Sequence, residues 1–379
     1  MIYFDNGATS FPKPPGMVAA MSHCMSDYCG NPGRSGHAMS MRTGEEVYKT
    51  RVSLAKLFNI SGPERVVFTI NATEALNIGI KGALKSGDHV ITTAMEHNSV
   101  LRPLNALEGF GVAHSIVRCG PDGTLDLKSI KDALRPSTKM IVCTHASNVV
   151  GTIMPIREIG EFAKSKNLIF MVDAAQSAGC LPIDVEDMKI DMLAVPGHKG
   201  LLGPLGTGAL FVRDGLAPRP LKEGGTGTES KSRKQPSDPP ESYESGTINA
   251  PGIVGLGFST KFIRKLGVEK IKEYEESLIR QADEGLRNMR GVSVYGPLDC
   301  SKKTSITAFN INGKGCEEVA QILNDRFGIA VRAGYHCAGL AHKTIGTWDT
   351  GAVRLSVSPF NSKKEIKTAI NAIYIISKN

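Results

Sequence analysis

One segment constrains the fold of this 379-residue chain more than any other: the continuous apolar run 168–172, which ends in Asp173. A strand that is apolar on both faces is typical of a parallel sheet covered by helices on both sides. Similar runs occur at 65–69, 88–93, 139–144, 192–195 and 208–212. The chain is therefore predicted to fold around a mostly parallel sheet in a large α/β domain.

Polar residues follow these predicted strands. Thr73 starts a predicted helix after the first strand, and His97, Asn148 and Asp173 follow later strands. Each of them alone is more simply interpreted as a helix cap or a loop residue. Because the carboxyl ends of parallel strands meet at one edge of a sheet, their convergence predicts a common site. The start of the helix at Thr73 also offers free backbone N–H groups to an anion.

Lys199 comes just after the strand 192–195 in a glycine-rich turn, 26 positions beyond Asp173. An isolated lysine in such a turn is usually an ordinary surface residue. In apolar surroundings, however, its pKa falls, and a neutral amine can form a Schiff base with an aldehyde. A carboxylate that holds a pyridinium nitrogen and a Schiff-base lysine are the pair that pyridoxal phosphate requires. The two segments together predict pyridoxal phosphate as the cofactor.

Composition narrows the class of protein. The 45 basic and 37 acidic residues give a net charge of +8 and are scattered along the chain, which argues against a nucleic-acid-binding protein. No apolar run approaches about 20 residues and the first residues do not form a signal peptide, so we expect a soluble cytoplasmic protein without a membrane segment. The eight cysteines include no Cys-x-x-Cys pair, which argues against a zinc ribbon or a redox dithiol, and no metal site is expected. In a reducing compartment all eight should be free thiols.

The pattern predicts three parts: an N-terminal segment 1–15 that packs with the small domain, a large cofactor-binding domain 16–255, and a small α+β domain 256–379. A helical stretch is expected at 253–286 and a mobile surface loop at 222–244. In the small domain we expect strands at 305–311, 329–332 and 353–357 and helices at 316–327 and 363–376.

Several motifs in this order resemble those of the fold-type I, class V aminotransferase-like pyridoxal phosphate enzymes, and among them the cysteine desulfurases and selenocysteine lyases. They are Asn71-Ala72-Thr73-Glu74, Glu96-His97-Asn98-Ser99, Ser147-Asn148 with Gly151-Thr152, Val172-Asp173 with Gln176, Gly197-His198-Lys199, Gly246-Thr247, Arg332-Ala333-Gly334-Tyr335-His336-Cys337-Ala338 and Val353-Arg354-Leu355-Ser356. The resemblance covers essentially the whole chain and implies a seven-stranded sheet. The compact context of Cys337 is similar to the branch with a short cysteine loop.

The resemblance implies a role for each matching residue. Lys199 would be the Schiff-base lysine and Cys337 the sulfur-accepting nucleophile, and His97, also catalytic, would stack on the cofactor ring. Asp173 would hold the pyridinium nitrogen. The other cofactor contacts would come from Ala72, Thr73, Asn148, Gln176, His198 and Thr247. Thr247 would reach in from the other subunit of a homodimer.

The substrate side and the overall reaction follow from the same resemblance. The residues assigned to the substrate carboxylate and its surroundings are Asn148, Arg332, Arg354 and Arg34, with Arg354 as a bidentate fork. The cationic surroundings that Arg332 and His336 provide would favour the thiolate of Cys337. The expected reaction converts L-cysteine to L-alanine and leaves a persulfide on Cys337 for an acceptor protein or small thiol, as in iron–sulfur cluster assembly.

Two alternatives remain open at this point. The first keeps the cofactor but changes the reaction to that of a selenocysteine lyase, or of another lyase acting on a sulfur-containing amino acid, with L-selenocysteine as a possible substrate. The second is a catalytically silent scaffold with the same fold. Loss of Lys199, Asp173 or Arg354 would mark the silent scaffold, and all three are present.

Overall fold

The computed structural model describes residues 1–33 and 35–378. Its strands are β1 (Ile2–Tyr3), β2 (Val66–Thr69), β3 (His89–Thr93), β4 (Ala113–Val117), β5 (Thr138–Thr144), β6 (Ile169–Asp173), β7 (Met192–Pro196), β8 (Gly208–Val212), β9 (Val292–Tyr295), β10 (Ile306–Ile311), β11 (Ile329–Ala330), β12 (Arg332–Gly334) and β13 (Ala352–Ser356). Its helices are α1 (Met17–Asp27), α2 (Ala38–Phe58), α3 (Ala72–Ala83), α4 (Asn98–Glu108), α5 (Leu127–Asp132), α6 (Ile156–Ser165), α7 (Ala250–Leu266), α8 (Val268–Arg287), α9 (Cys316–Phe327), α10 (Gly339–Thr344) and α11 (Lys363–Lys378).

The largest sheet of the structure has seven strands, in the order β2-β8-β7-β6-β5-β3-β4. The strands β4, β3, β5, β6 and β7 run parallel to one another, and only β8 runs antiparallel to its two neighbours. Every residue of β2, β3, β6, β7 and β8 is buried. This burial on both faces explains the continuous apolar runs in the sequence. The prediction of a mostly parallel α/β fold is confirmed.

A smaller antiparallel sheet, β12-β13-β10-β9, belongs to the C-terminal part of the chain. The first residues of the chain join this part, because β1 pairs with β11 in parallel and Asp5 bridges to Ser356. Phe4 is fully buried in the same apolar cluster as residues of α8, α9 and α11. The same segment also contacts the turn after β7, where the Ser10 N–H donates to the His198 carbonyl (2.9 Å), so it joins the large and small sheets.

Two elements differ from the sequence prediction. The helical stretch expected at 253–286 is two helices, because Gly267 lies between α7 and α8 with φ of 87° and cannot continue a helix. The strand expected at 329–332 is also divided: β11 pairs with β1, and β12 pairs with β13 in the other sheet. The predicted domain boundary at residue 255 falls inside α7.

The described residues between Val212 and Ala250 contain no helix or strand, and most of this long connection is exposed. Within the described part of the chain, no helix is long and apolar enough to cross a membrane.

Candidate active site

The polar segments that follow the strands of the large sheet meet in one pocket at its carboxyl edge. The pocket is lined by residues from the ends of β5, β6 and β7 and from the starts of α3 and α4. The sequence-predicted residues that it brings together are Ala72, Thr73, His97, Asn148, Asp173, Gln176, His198 and Lys199. The pocket therefore contains every predicted cofactor residue except Thr247.

Lys199 lies in a tight turn directly after β7. Burial is the main cause that lowers its pKa to about 8, and the nearby positive charge of Arg354 adds to it, while Asp173 opposes the shift. Its Nζ has no hydrogen-bond partner among the described residues. The turn is packed closely against the loop after β6, because a Cβ on Gly179 would lie 2.3 Å from the Gly200 carbonyl oxygen. Lys199 is thus a partly desolvated amine held in a fixed turn.

Asp173 ends β6 and is 2% exposed. Its Oδ1 accepts a hydrogen bond of 2.9 Å from the backbone N–H of Ala175, and its other oxygen has no partner among the described residues. Desolvation raises its pKa, while that N–H and the charge of Lys199 act in the opposite direction. Because Asp173 lines the pocket, this unpartnered carboxylate oxygen fits a cationic N–H group of a bound molecule.

Two imidazoles line the same pocket, and both are neutral near pH 7. Desolvation and the positive charge of Lys199 lower the pKa of His97 and of His198 to about 4. His97 caps α4, since its Nδ1 accepts a 3.0 Å hydrogen bond from the Ser99 N–H, which assigns the ring proton to Nε2. The buried Nδ1 of His198 has no partner among the described residues.

The start of α3 forms a third side of the pocket. Asn71 caps this 12-residue helix by accepting the Glu74 N–H. Thr73 is exposed toward solvent, and its hydroxyl lies 2.8 Å from that of Ser99. The pocket therefore has an electropositive helix end beside two hydroxyl groups, an arrangement suited to a phosphate.

Glu96 is a residue of this region to which sequence reasoning assigned no role. It is fully buried, and burial raises its pKa to about 8 despite hydrogen bonds from the Thr93 hydroxyl (2.6 Å) and the Thr144 N–H (3.0 Å). The negative charge of Asp173 contributes to the shift. Glu96 is thus a neutral acid at pH 7. Its position, directly after a buried strand and before His97, was the available signal.

Cys337 follows β12 and its side chain is exposed. Both His336 and Cys337 have left-handed backbones, with φ of 52° and 58°, which only fixed contacts can maintain. Two hydrogen bonds supply such contacts: the Asn148 side-chain amide donates to the His336 carbonyl (2.6 Å), and the Asn98 N–H donates to the Cys337 carbonyl (2.8 Å). Because Asn148 lines the pocket and Asn98 starts α4, these bonds hold Cys337 next to the pocket.

The surroundings of the thiol differ from the expectation. Arg332 lies close, with Nη2 at 3.9 Å from the sulfur of Cys337. His336 does not supply a positive charge. It is buried against His342, at 3.3 Å between ring nitrogens, and burial followed by the charge of Arg354 lowers its pKa to about 2. Of the two residues, only Arg332 brings a positive charge close to the sulfur, because burial excludes the imidazolium form of His336.

Arg354 is 1% exposed on β13 and connects this strand to the loop after β5 and to the N-terminal segment. Its Nη1 donates to the Asn148 carbonyl (2.8 Å) and its Nη2 to Asp5 Oδ1 (2.9 Å), while its buried Nε has no partner among the described residues. Part of the predicted fork is thus already bonded within the protein. Its role toward a substrate carboxylate stays a prediction.

Two predicted residues are not part of this assembly. Thr247 is exposed near Asn31, at 3.5 Å between side chains, and does not line the pocket. Arg34 lies outside the described residues.

Comparison with known proteins places the chain in a family. The profile of the class-V aminotransferases matches residues 2–368. The chain belongs to the class-V aminotransferase family. It is 34% identical to a probable cysteine desulfurase of Methanothermobacter thermautotrophicus, over 97% of this chain and 92% of that relative.

Solved structures agree with this assignment. The apo cysteine desulfurase of Thermococcus onnurineus has a TM-score of 0.93 and 34% identity, covering 100% of this chain and 94% of that one. The S-sulfonic acid form of the cysteine desulfurase CsdA of Escherichia coli has a TM-score of 0.88 and 28% identity, covering 98% and 93%. The family predicted from the motifs is confirmed, and with it the expectation of an enzyme similar to cysteine desulfurases.

Proposed function

We propose that the protein is a pyridoxal phosphate-dependent cysteine desulfurase that converts L-cysteine to L-alanine and carries the sulfur on Cys337. The observation that supports this most directly is the position of an exposed thiol whose loop is hydrogen-bonded to a pocket-lining residue. That pocket also contains a desolvated lysine and a buried carboxylate.

The described residues fit the proposed cofactor. The unbonded oxygen of Asp173 suits a protonated ring nitrogen, and His97 would contact the ring. The start of α3, with Ala72 and Thr73, and the unpartnered Nδ1 of His198 suit the phosphate. When bound, pyridoxal phosphate supplies an aldehyde for covalent attachment and an electron-withdrawing ring.

The protein's own groups have matching tasks. Lys199, with a pKa of about 8, can exist as a neutral amine near neutral pH and can therefore bind the aldehyde and later accept a proton from the substrate. Arg354 and Asn148 would orient the substrate carboxylate beside the pocket.

The thiolate of Cys337 attacks the substrate sulfur, so an S–S bond forms while the C–S bond breaks. The electron pair of the C–S bond stays on the carbon, which takes up a proton to give alanine. No external oxidant is needed.

The test compares Cys337→Ala with Cys29→Ala, which removes another exposed cysteine. Each cofactor-loaded protein is incubated with L-cysteine, alanine is quantified, and the mass of the protein is measured for a persulfide. We expect Cys29→Ala to keep both products and Cys337→Ala to lose both. Undiminished alanine release from cysteine by Cys337→Ala would refute the proposal. A parallel incubation with L-selenocysteine distinguishes a selenocysteine lyase, which would release alanine from that substrate alone.

We also propose a homodimer in which Thr247 completes the cofactor site of the other subunit, and we place the enzyme in the cytoplasm because its eight cysteines are unpaired. The exposure of Thr247 at a distance from its own pocket supports the dimer. Mixing Lys199→Ala chains with Thr247→Ala chains tests it. Mixed dimers contain one site with both residues intact, so activity should return on mixing, and its failure to return would argue against a shared site.

A further inference from the structure

A second, smaller cavity adjoins Lys199. It has a volume of about 20 Å³, which is about the room that one ordered water molecule needs. Six regions of the chain line it: the N-terminal segment, the loop after β6, the turn after β7, helix α8, Ser305 before β10 and the two residues after β13. Lys199 and Gln176 belong to both this cavity and the cofactor pocket. The lysine therefore stands between the two spaces.

Glu275 projects from α8 into this cavity and is 3% exposed. A buried carboxyl group is costly to ionise, and burial raises its pKa to about 8, although the Ser305 hydroxyl and the Cys180 thiol oppose the shift. None of the functions assigned above uses this acid. A buried acid on α8 that lines the same cavity as Lys199 calls for a physical explanation.

The polar groups around the cavity suit a bridging water. The Nζ of Lys199 has no hydrogen-bond partner among the described residues, and neither has the Oε1 of Gln176, whose Nε2 donates to the Gly7 carbonyl. Together with the Glu275 carboxyl group, they provide the two to four partners that an ordered water requires. One water molecule can thus connect the acid to the amine.

Other ionisable groups face this pair. Cys180 lies beside Glu275, and Lys13 is bonded to the cavity-lining Ser10. Arg354, Asp173, Arg332 and Asp5 also act on Lys199 through their charges when Glu275 is protonated. Of these groups, only Cys180 also lines the cavity.

We propose that Glu275 is a positioning residue that stores a proton for Lys199 and exchanges it through one water molecule in this cavity. The proton leaves the carboxyl oxygen as another joins the amine nitrogen, giving carboxylate and ammonium, and the reverse step restores the neutral pair. This exchange lets Lys199 change its protonation state on the side opposite the cofactor pocket. The proposal deepens the function proposed above. It rests on that function only for what the proton does in the reaction, and the exchange itself does not depend on it.

The test measures Lys199 in the full-length protein before cofactor is added. The rate of acetylation of Lys199 is followed by mass spectrometry against pH in the wild type, in Glu275→Gln and in Glu273→Gln, an exposed glutamate on the same helix. A carboxylate at Glu275 stabilises the ammonium, so its removal should lower the midpoint of the Lys199 profile. If the midpoint falls by about one pH unit, acetylation of Lys199 becomes up to about tenfold faster at a fixed pH. Glu273→Gln should match the wild type.

A second measurement covers the case in which Glu275→Gln does not fold. Infrared spectroscopy follows the carboxylic acid band of Glu275 against pH in the wild type and in Lys199→Ala. By reciprocity, loss of the ammonium should move the ionisation of Glu275 to higher pH by a similar amount. Equal profiles in both comparisons would overturn the proposal. Neither measurement uses cysteine or the cofactor, so its outcome is independent of the desulfurase assignment.

Discussion

Replacement of Glu96 by glutamine changes how stability depends on pH. In the folded protein this acid has a pKa of about 8, whereas in an unfolded chain a glutamate has a pKa of about 4.3. Between these values the folded state keeps a proton that the unfolded state has released, so stability falls as pH rises. The contribution of Glu96 to the free energy of unfolding is fully present below about pH 4 and is lost as pH rises to about 8.

The magnitude follows from the two pKa values. Each pH unit within this window costs about 1.4 kcal/mol, so the wild type should lose about 3 kcal/mol between about pH 5 and pH 7 relative to Glu96→Gln. Glutamine has nearly the same volume and still accepts the hydrogen bonds of Thr93 and Thr144. The difference in the free energy of unfolding between the two proteins therefore reports the ionisation of Glu96 alone, because all other titrating groups are common to both.

The assay is equilibrium unfolding in urea at several pH values, carried out on cofactor-free protein after reversibility has been checked. Glu158→Gln, which alters an exposed carboxylate, is the control and should follow the wild type at every pH. A difference between Glu96→Gln and wild type that stays constant across the window would mean that Glu96 is ionised in the folded state, and the reasoning would be wrong.

Two further substitutions test the packing described above. Gly179→Ala should cost more stability than Gly87→Ala and should also reduce cofactor binding, because both glycines have φ near +87° but only a Cβ on Gly179 would meet the Gly200 carbonyl, at 2.3 Å. The backbone conformation costs about 1–3 kcal/mol in either variant, so the difference between their losses in thermal unfolding measures the close approach, and equal losses would contradict it. Asp283→Asn should lower the free energy of unfolding in urea by about 3–5 kcal/mol, because it leaves the buried ammonium of Lys303, 3.0 Å from the carboxylate in the wild type, without its counter-charge. The double variant Asp283→Leu with Lys303→Met should recover most of this loss, and a small effect of the single variant would show that Lys303 is neutral.

The sequence was most informative where burial on both faces of a strand leaves a continuous apolar run. Such runs located β2, β3, β5, β6, β7 and β8, and the polar residues after them located the pocket. The edge strand β4 was not predicted, because its largely exposed residues Ala113 to Ile116 carry no such pattern. Helix α2 was also not predicted, although buried positions such as Val47 and Leu54 recur along it.

Other features depend on contacts between distant parts of the chain. The motif that contains His336 suggested a cation beside Cys337, but its burial against His342 makes it neutral, and no local pattern encodes that burial. The same holds for Glu96, whose raised pKa comes from the surrounding core and from Asp173. Local sequence predicts which side chains reach a site, whereas their protonation depends on what packs around them.

The bonds of Arg354 have a consequence for synthesis. This side chain joins Asp5, 349 positions earlier, to Asn148, 206 positions earlier. At about 5–20 residues per second, a ribosome needs roughly 20 to 70 seconds to travel from the first of these residues to the arginine. For that time the beginning of the nascent polypeptide has no partner strand, so the wall of the active site that it helps to build is completed only near the end of translation.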